Sequence, residues 1–178
     1  MRRLFAALFA LALTQLPMEA HAVELTDPDN TLVIELKTGP VYIQLLPQVA
    51  PKHVERIKTL AREGFYDGVV FHRVIEGFMA QTGDPTGTGR GGSKLPDLPA
   101  EFSNVPYERG TVGMARTQNP NSANSQFFIM FDRGHFLNGQ YTVWGQVIEG
   151  MDNVDKIARG EPPANPDKMI KVRVASDM

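Results

Sequence analysis

The sequence predicts a mainly β protein, with eight strands in one antiparallel sheet closed into a barrel and two accompanying α-helices. Three observations predict it. Eight short segments carry strand patterning while two carry helical spacing, and alternating parallel units would need a helix after nearly every strand. Residues 125–131, SQFFIMF, have almost no polarity on either face and would be an aggregation hazard on an open edge. They are expected to form a central, buried strand. The third observation is that the connections are long, notably residues 83–104, which are rich in Gly and Pro and read as an ordered surface excursion.

In chain order, residues 1–22 read as a secretory signal peptide. Arg2 and Arg3 precede the apolar run 4–13, and Ala20-His21-Ala22 supplies small residues two apart, so cleavage is expected after Ala22. The apolar run is about half of the roughly 20 residues that a spanning helix needs, so a retained anchor is the weaker reading. The arginine pair sits too close to the terminus for a twin-arginine signal, and the general secretory route is expected. Residues 23–30 are a polar lead-in, and 31–178 form the folded domain.

Residues 31–37 alternate with Leu32, Ile34 and Leu36 on one side, and Thr38-Gly39-Pro40 turns the chain into 41–46, a β-hairpin. From Pro51 the spacing changes. Ala50, Val54, Ile57 and Ala61 recur at three and four residues, while Lys52, Glu55, Arg56, Lys58 and Arg62 occupy the other sides of an amphipathic helix that Gly64 ends. Further strands are expected at 69–75, 78–81, 111–115, 126–131, 142–148 and 170–174, and a second helix at 151–159.

Composition narrows the chemistry. The 178 residues are 42% hydrophobic and 21% charged, as in one soluble globular domain. Lys and Arg number 18 against 20 acidic residues, a formal charge of -2, and no basic cluster could follow a phosphate backbone, so nucleic acid is not an expected partner. With no Cys there can be no disulfide, zinc-thiolate site, iron-sulfur cluster or thiol nucleophile.

Residues 87–92 match GxGxxG, but the prolines at Pro96 and Pro99 cannot open the helix that a dinucleotide site requires. His53, placed on the charged side of a helix, His72 in a strand and His135 in a loop lack metal-ligand spacing. His135 reads as a solvated turn residue, and His72 as a core hydrogen-bonding group rather than a catalytic base. No GxSxG elbow supports acyl transfer. No metal or cofactor is expected.

What remains is Phe71 through Gln81, where one cation and one amide stand among large apolar side chains. In an extended segment Arg73 and Gln81 share a face, unless Gly77 bends the strand. An Arg beside Phe, Met and Gln on a β-surface is what a peptide groove with a polar anchor needs. Gln126 and Phe128 repeat the pairing on another strand.

At FHRVIEGFMAQTGD, GTVGMARTQNPNSANSQFFIMF and HFLNGQYTVWGQVIEGMDNVDKI the chain resembles the cyclophilins, peptidyl-prolyl cis-trans isomerases, and more closely their periplasmic bacterial branch. The likeness runs from about Leu32 to Val174. It implies an eight-stranded antiparallel barrel capped by two helices, in agreement with the strand count. It makes Arg73 the catalytic guanidinium, Phe78, Met79, Phe128 and Leu137 the walls of a proline pocket, and Gln81 and Gln126 the amides that fix the substrate backbone and the guanidinium. Ala115 and the main chain of Arg116 would line the peptide groove. Phe136 stands where many eukaryotic members have Trp, and Tyr141 where they have His.

The resemblance also implies proline-containing polypeptides as substrates, and a weakened hold on cyclosporin, the family's cyclic peptide inhibitor, because Phe lacks the indole N–H. A periplasmic, monomeric folding enzyme is the leading expectation. A non-catalytic peptide-binding chaperone using the same groove is the alternative, and a barrel with an open interior for a small apolar ligand is a third. Trp144, the only Trp, is expected in the core.

Overall fold

The computed structural model describes residues 25–178. The signal peptide and the first two residues of the polar lead-in lie outside the described residues. Eight strands form one antiparallel sheet in the order β3-β4-β6-β5-β7-β2-β1-β8: β1 (Thr31–Leu36), β2 (Gly39–Leu45), β3 (Arg73–Ile75), β4 (Met79–Thr82), β5 (Thr111–Met114), β6 (Phe127–Met130), β7 (Val143–Glu149) and β8 (Lys171–Val174). Each expected strand is present.

Closure needs correction. The end strands β3 and β8 are not laddered to each other. The gap is spanned by isolated bridges, Val70 with Lys168 and Val74 with Gly160, so the curled sheet is a barrel left open at one seam. The same seam explains why the strand expected at 69–75 shrinks to Arg73–Ile75: Phe71 N–H donates to Asp167 O and Met169 N–H to Val69 O, bonds to a loop instead of a strand.

The interior is filled. Leu32, Ile34, Ile43, Phe127, Ile129 and Trp144 belong to one buried cluster, and Phe127 meets both Tyr66 and Trp144 edge-on at 5.5 and 5.3 Å. A barrel with an open lumen is therefore excluded, and Trp144 is core as expected.

Helix α1 (Pro51–Arg62) closes one side, and Gly64, at φ 68, lets the chain leave it. Its buried face is wider than the apolar spacing indicates. His53 and Arg56, both assigned to the charged side, are buried. The reason is the 83–104 excursion, which folds over the helix. Pro96 O accepts from Arg56 Nη2 at 2.7 Å, and the Glu101 carboxylate accepts from Lys52 N and His53 N, capping a helix whose Ala50 cannot do so.

The second helix is also shorter than its spacing predicts, Met151–Val154 (α2) instead of 151–159. The Arg159 guanidinium takes the carbonyls of Asp155 and Ile157, and Ala158 N–H turns to Asp167 Oδ2. Side chains thus satisfy the groups a continuing helix would have used.

Candidate active site

Register assembles the site. Arg73 pairs with Gln81 across β3 and β4, Gln81 with Phe128 across β4 and β6, and Phe128 with Gly113 across β6 and β5. Residues directly opposite each other project to the same face, so one transverse row carries the cation, the amide, the aromatic ring and a glycine. The neighbouring row, Val74, Ala80, Ile129 and Val112, has the other parity and enters the interior core. The site is therefore on the outer face of the sheet. Gly77, at φ 67, turns the chain between β3 and β4, so Arg73 and Gln81 share a face as hairpin partners and not along one extended strand.

A second apolar cluster covers that face: Met79, Tyr107, Phe128, Met130, Leu137 and Val143, with Phe78 and Tyr141 packed against it. It leaves a cavity of about 140 Å³. Phe78, Met79, Phe128, Leu137 and Tyr141 supply apolar and aromatic walls, while Arg73, Gln81, Ala115 and Arg116 complete the mouth. A larger groove of about 540 Å³ shares Gln81, Ala115 and Arg116 with it and runs past Gln126 along residues 89–93.

Two expected residues stand outside the small cavity. Gln126 belongs to the groove. Phe136, 66% exposed, forms an outer rim with its ring 5.5 Å from that of Phe78.

The polar side of the site is a directional chain. Arg73 Nη1 faces Gln81 Oε1 at 3.5 Å, Gln81 Nε2 donates to Gln126 Oε1 at 3.0 Å, and Gln126 Nε2 donates to Gly91 O at 2.8 Å. Each amide thus offers its oxygen toward Arg73 and its nitrogen away from it. Arg73 Nε donates to Glu161 Oε1 at 2.8 Å. The loop that receives Gln126 is itself organised by buried Asp84, whose carboxylate accepts from the backbone N–H groups of Thr86, Thr88, Gly89 and Gly91. Burial pushes this carboxyl up, but the Thr86 hydroxyl and these amides outweigh it and hold Asp84 far below the ordinary carboxylate range.

Arg116 does more than present its main chain. Its Nη2 donates to Gln140 O at 2.7 Å, its Nη1 to Thr117 O at 2.8 Å, and its Cζ lies 4.3 Å over the Tyr141 ring, tying the two rims together. Tyr107 went unrecognised in the sequence: it stacks on Phe128 at 5.7 Å and backs the pocket. Its segment, residues 105–110, has no strand or helix period that could have marked it.

His72 is buried as expected, but neither ring nitrogen has a hydrogen-bond partner, and burial lowers its pKa. His135 is exposed beside Glu108 at 2.5 Å. No group of three or more His, Asp or Glu among the described residues could hold a metal ion.

Residues 31–176 match the family described as cyclophilin type peptidyl-prolyl cis-trans isomerase/CLD. A Brucella suis biovar 1 protein named "Probable peptidyl-prolyl cis-trans isomerase" is 56% identical over 188 aligned residues, covering 96% of each chain. The rat peptidyl-prolyl cis-trans isomerase-like 3 (Rattus norvegicus) is 40% identical, covering 72% of this chain and 82% of its own. Among solved structures, a cyclophilin from Hirschia baltica superposes with a TM-score of 0.79 at 34% identity, over 85% of this chain and 76% of the other. A cyclophilin type isomerase from Cryptosporidium parvum, crystallised in the presence of the dipeptide Ala-Pro, superposes at 0.76 with 28% identity, over 81% and 98%. With its outer-face pocket, transverse row and near full-length match, the chain belongs to the cyclophilin-type peptidyl-prolyl cis-trans isomerases.

Proposed function

We propose that this cyclophilin-type isomerase accelerates rotation about X-Pro bonds of proline-containing polypeptides in the bacterial envelope, with Arg73 as catalytic donor and the 140 Å³ cavity as the proline pocket. The observation that carries the reading is the row Arg73, Gln81, Phe128, which puts a permanent cation at the mouth of an aromatic pocket.

Amide resonance sets a barrier of about 18–20 kcal/mol on peptide rotation, and X-Pro isomers exchange over tens to hundreds of seconds. Twisting the bond localises a lone pair on the prolyl nitrogen and removes charge separation from the amide. The apolar walls disfavour the planar, more dipolar ground state, and an Arg73 N–H can hydrogen-bond the pyramidal nitrogen. Gln81 and Gln126 hold the substrate backbone, with their amides oriented by the chain that ends on Gly91 O. Arg suits the role because it stays charged at all physiological pH and offers several fixed donors. About 7 kcal/mol of stabilisation selective for the twisted state gives about 10⁵-fold in rate, with no covalent intermediate, metal or cofactor.

The presence of the Ala-Pro dipeptide with the Cryptosporidium parvum relative supports a proline-containing ligand here. The Arg2-Arg3 segment and the Ala20-His21-Ala22 pattern support export to the periplasm.

The test is an isomerisation assay on an X-Pro peptide with the parent, Arg73→Ala and Phe128→Ala, each checked for folding by circular dichroism. We expect Arg73→Ala to lose about 10²–10³ in kcat/KM, the cost of removing one transition-state donor. Parental turnover in folded Arg73→Ala would refute the assignment.

A further inference from the structure

We propose that Glu161 is a positioning residue for the isomerase reaction, holding the Arg73 guanidinium so that its terminal nitrogens face the pocket. The inference rests on the role of Arg73 in the proposed function. Among the five N–H donors of an arginine, Nε is the one nearest the backbone. Glu161 Oε1 takes it at 2.8 Å, which leaves both Nη groups outside that bond, with Nη1 facing Gln81 Oε1 in the cavity that Arg73 and Gln81 both line. Glu161 is not among the residues lining that cavity, so it acts on the guanidinium from behind and does not compete for the substrate's place.

The amide on the other side does not suffice. Gln81 Oε1 lies 3.5 Å from Nη1, beyond the 2.7–3.2 Å of a well-formed N–H···O bond. Without Glu161 the long side chain would keep much of its rotamer freedom, and a donor must be oriented before the bond twists if it is to favour the twisted state.

Glu161 is delivered by backbone. Val74 N–H donates to Gly160 O and Gly160 N–H to Val74 O, both at 2.8 Å, a reciprocal pair one residue from both Arg73 and Glu161. Next to it Arg159 Nε donates to Glu76 Oε2 at 2.5 Å, and its guanidinium carbon lies 4.1 Å over the Phe131 ring. The carboxylate therefore moves with β3. Both partners are about half exposed, the guanidinium side chain at 42% and the carboxylate side chain at 53%, so the effect is one of orientation with modest electrostatics.

The test combines kinetics with NMR of the Arg73 Nε–Hε signal, assigned by its loss in Arg73→Lys. We expect Glu161→Ala to shift and broaden that signal and to lower kcat by about two- to fivefold, within the range of an exposed ion pair, with KM nearly unchanged. Glu161→Gln keeps an acceptor oxygen and should restore most of both readouts. A parental kcat in Glu161→Ala, an unmoved Nε–Hε signal, or Glu161→Gln behaving as Glu161→Ala would each overturn the proposal. A parent without turnover would remove the proposed function and this inference together, whereas an active parent with unaltered variants removes the inference alone.

Discussion

Tyr107 stacks on Phe128 with ring centroids 5.7 Å apart and planes inclined by 24°, in a space that Gly113 leaves open beneath both rings. A Cβ at position 113 would overlap the Tyr107 hydroxyl and stand 2.8 Å from Phe128 Cζ. Gly113→Ala should therefore tilt the Phe128 wall of the 140 Å³ cavity. We expect a loss of about 1–3 kcal/mol in stability, as for other overpacked sites, with reduced turnover. The Tyr107 hydroxyl is buried without a partner, so Tyr107→Phe should be neutral or stabilising. Combined with Gly113→Ala it should recover part of the loss. Urea denaturation of the two single variants and the double variant measures the coupling, and strict additivity would contradict the packing argument.

Asp84 links the fold of residues 86–91 to the site through Gln126. Asp84→Asn replaces an acceptor of four backbone N–H groups with one that also presents an NH₂ to those donors. We expect a loss of about 2–3 kcal/mol in stability, faster amide exchange at Gly89 and Gly91, and a raised KM for peptides long enough to lie in the 540 Å³ groove. The KM of a short X-Pro substrate should change less, because the small cavity does not include this loop. Equal KM changes for long and short peptides would reject the separation of groove and pocket.

Phe136 is 66% exposed and rests on Phe78, so a larger ring can replace it without disturbing the core. Phe136→Trp would restore at this rim the indole N–H that the resemblance associates with cyclosporin binding. We expect tighter cyclosporin binding by about 2- to 12-fold, the worth of one added hydrogen bond, with isomerisation of X-Pro peptides unchanged within twofold. Isothermal titration calorimetry checks this, and an affinity equal to the parent's would remove the missing donor as a determinant of cyclosporin binding.

Period and composition made much of this molecule legible. Alternation in Thr31–Leu36 and the unbroken apolar run around Phe127–Met130 located strands that depend on their own residues. Arg73, Gln81 and Phe128 were legible because an unusual cation and amide stand among aromatic residues, and because the motifs resemble one family. The misses are residues whose surroundings come from distant chain. Arg56 and His53 carry polar labels but are roofed by the 83–104 excursion. Tyr107 sits in irregular backbone, as does Glu161 between Gly160 and Pro162, and each reaches the site through contacts that no local spacing encodes. Beyond helix α2 Arg159 takes the carbonyls of Asp155 and Ile157 that a longer helix would use, which is a side-chain event invisible to periodicity.

The roofing of α1 carries a pH dependence. His53 is fully buried, and burial pushes its imidazole below the ordinary 6.5, with the bond to Glu101 only partly offsetting this and Arg56 lowering it further. The neutral ring donates from Nδ1 to Glu101 Oε2 at 2.6 Å. Burial pushes Glu101 up, but the His53 bond and the N–H groups of Lys52 and His53 outweigh it and leave the carboxyl below its ordinary 4.5. Both groups are thus depressed on folding, so in acid the unfolded chain binds more protons than the folded one. The His53 contribution is whole above 6.5 and is lost as the pH falls from there through the lower folded value, and the Glu101 contribution is lost below 4.5. We expect Tm to be level between about pH 7 and 8 and to decline once the pH passes below the histidine range. His53→Gln can still donate to Glu101 yet cannot titrate, so its decline between the histidine and carboxylate ranges should be shallower than the parent's, the remainder there coming from buried His72, whose pKa burial also lowers. Differential scanning calorimetry in steps of half a pH unit would decide it, and a decline in His53→Gln as steep as the parent's below pH 6.5 would show that another group governs acid sensitivity.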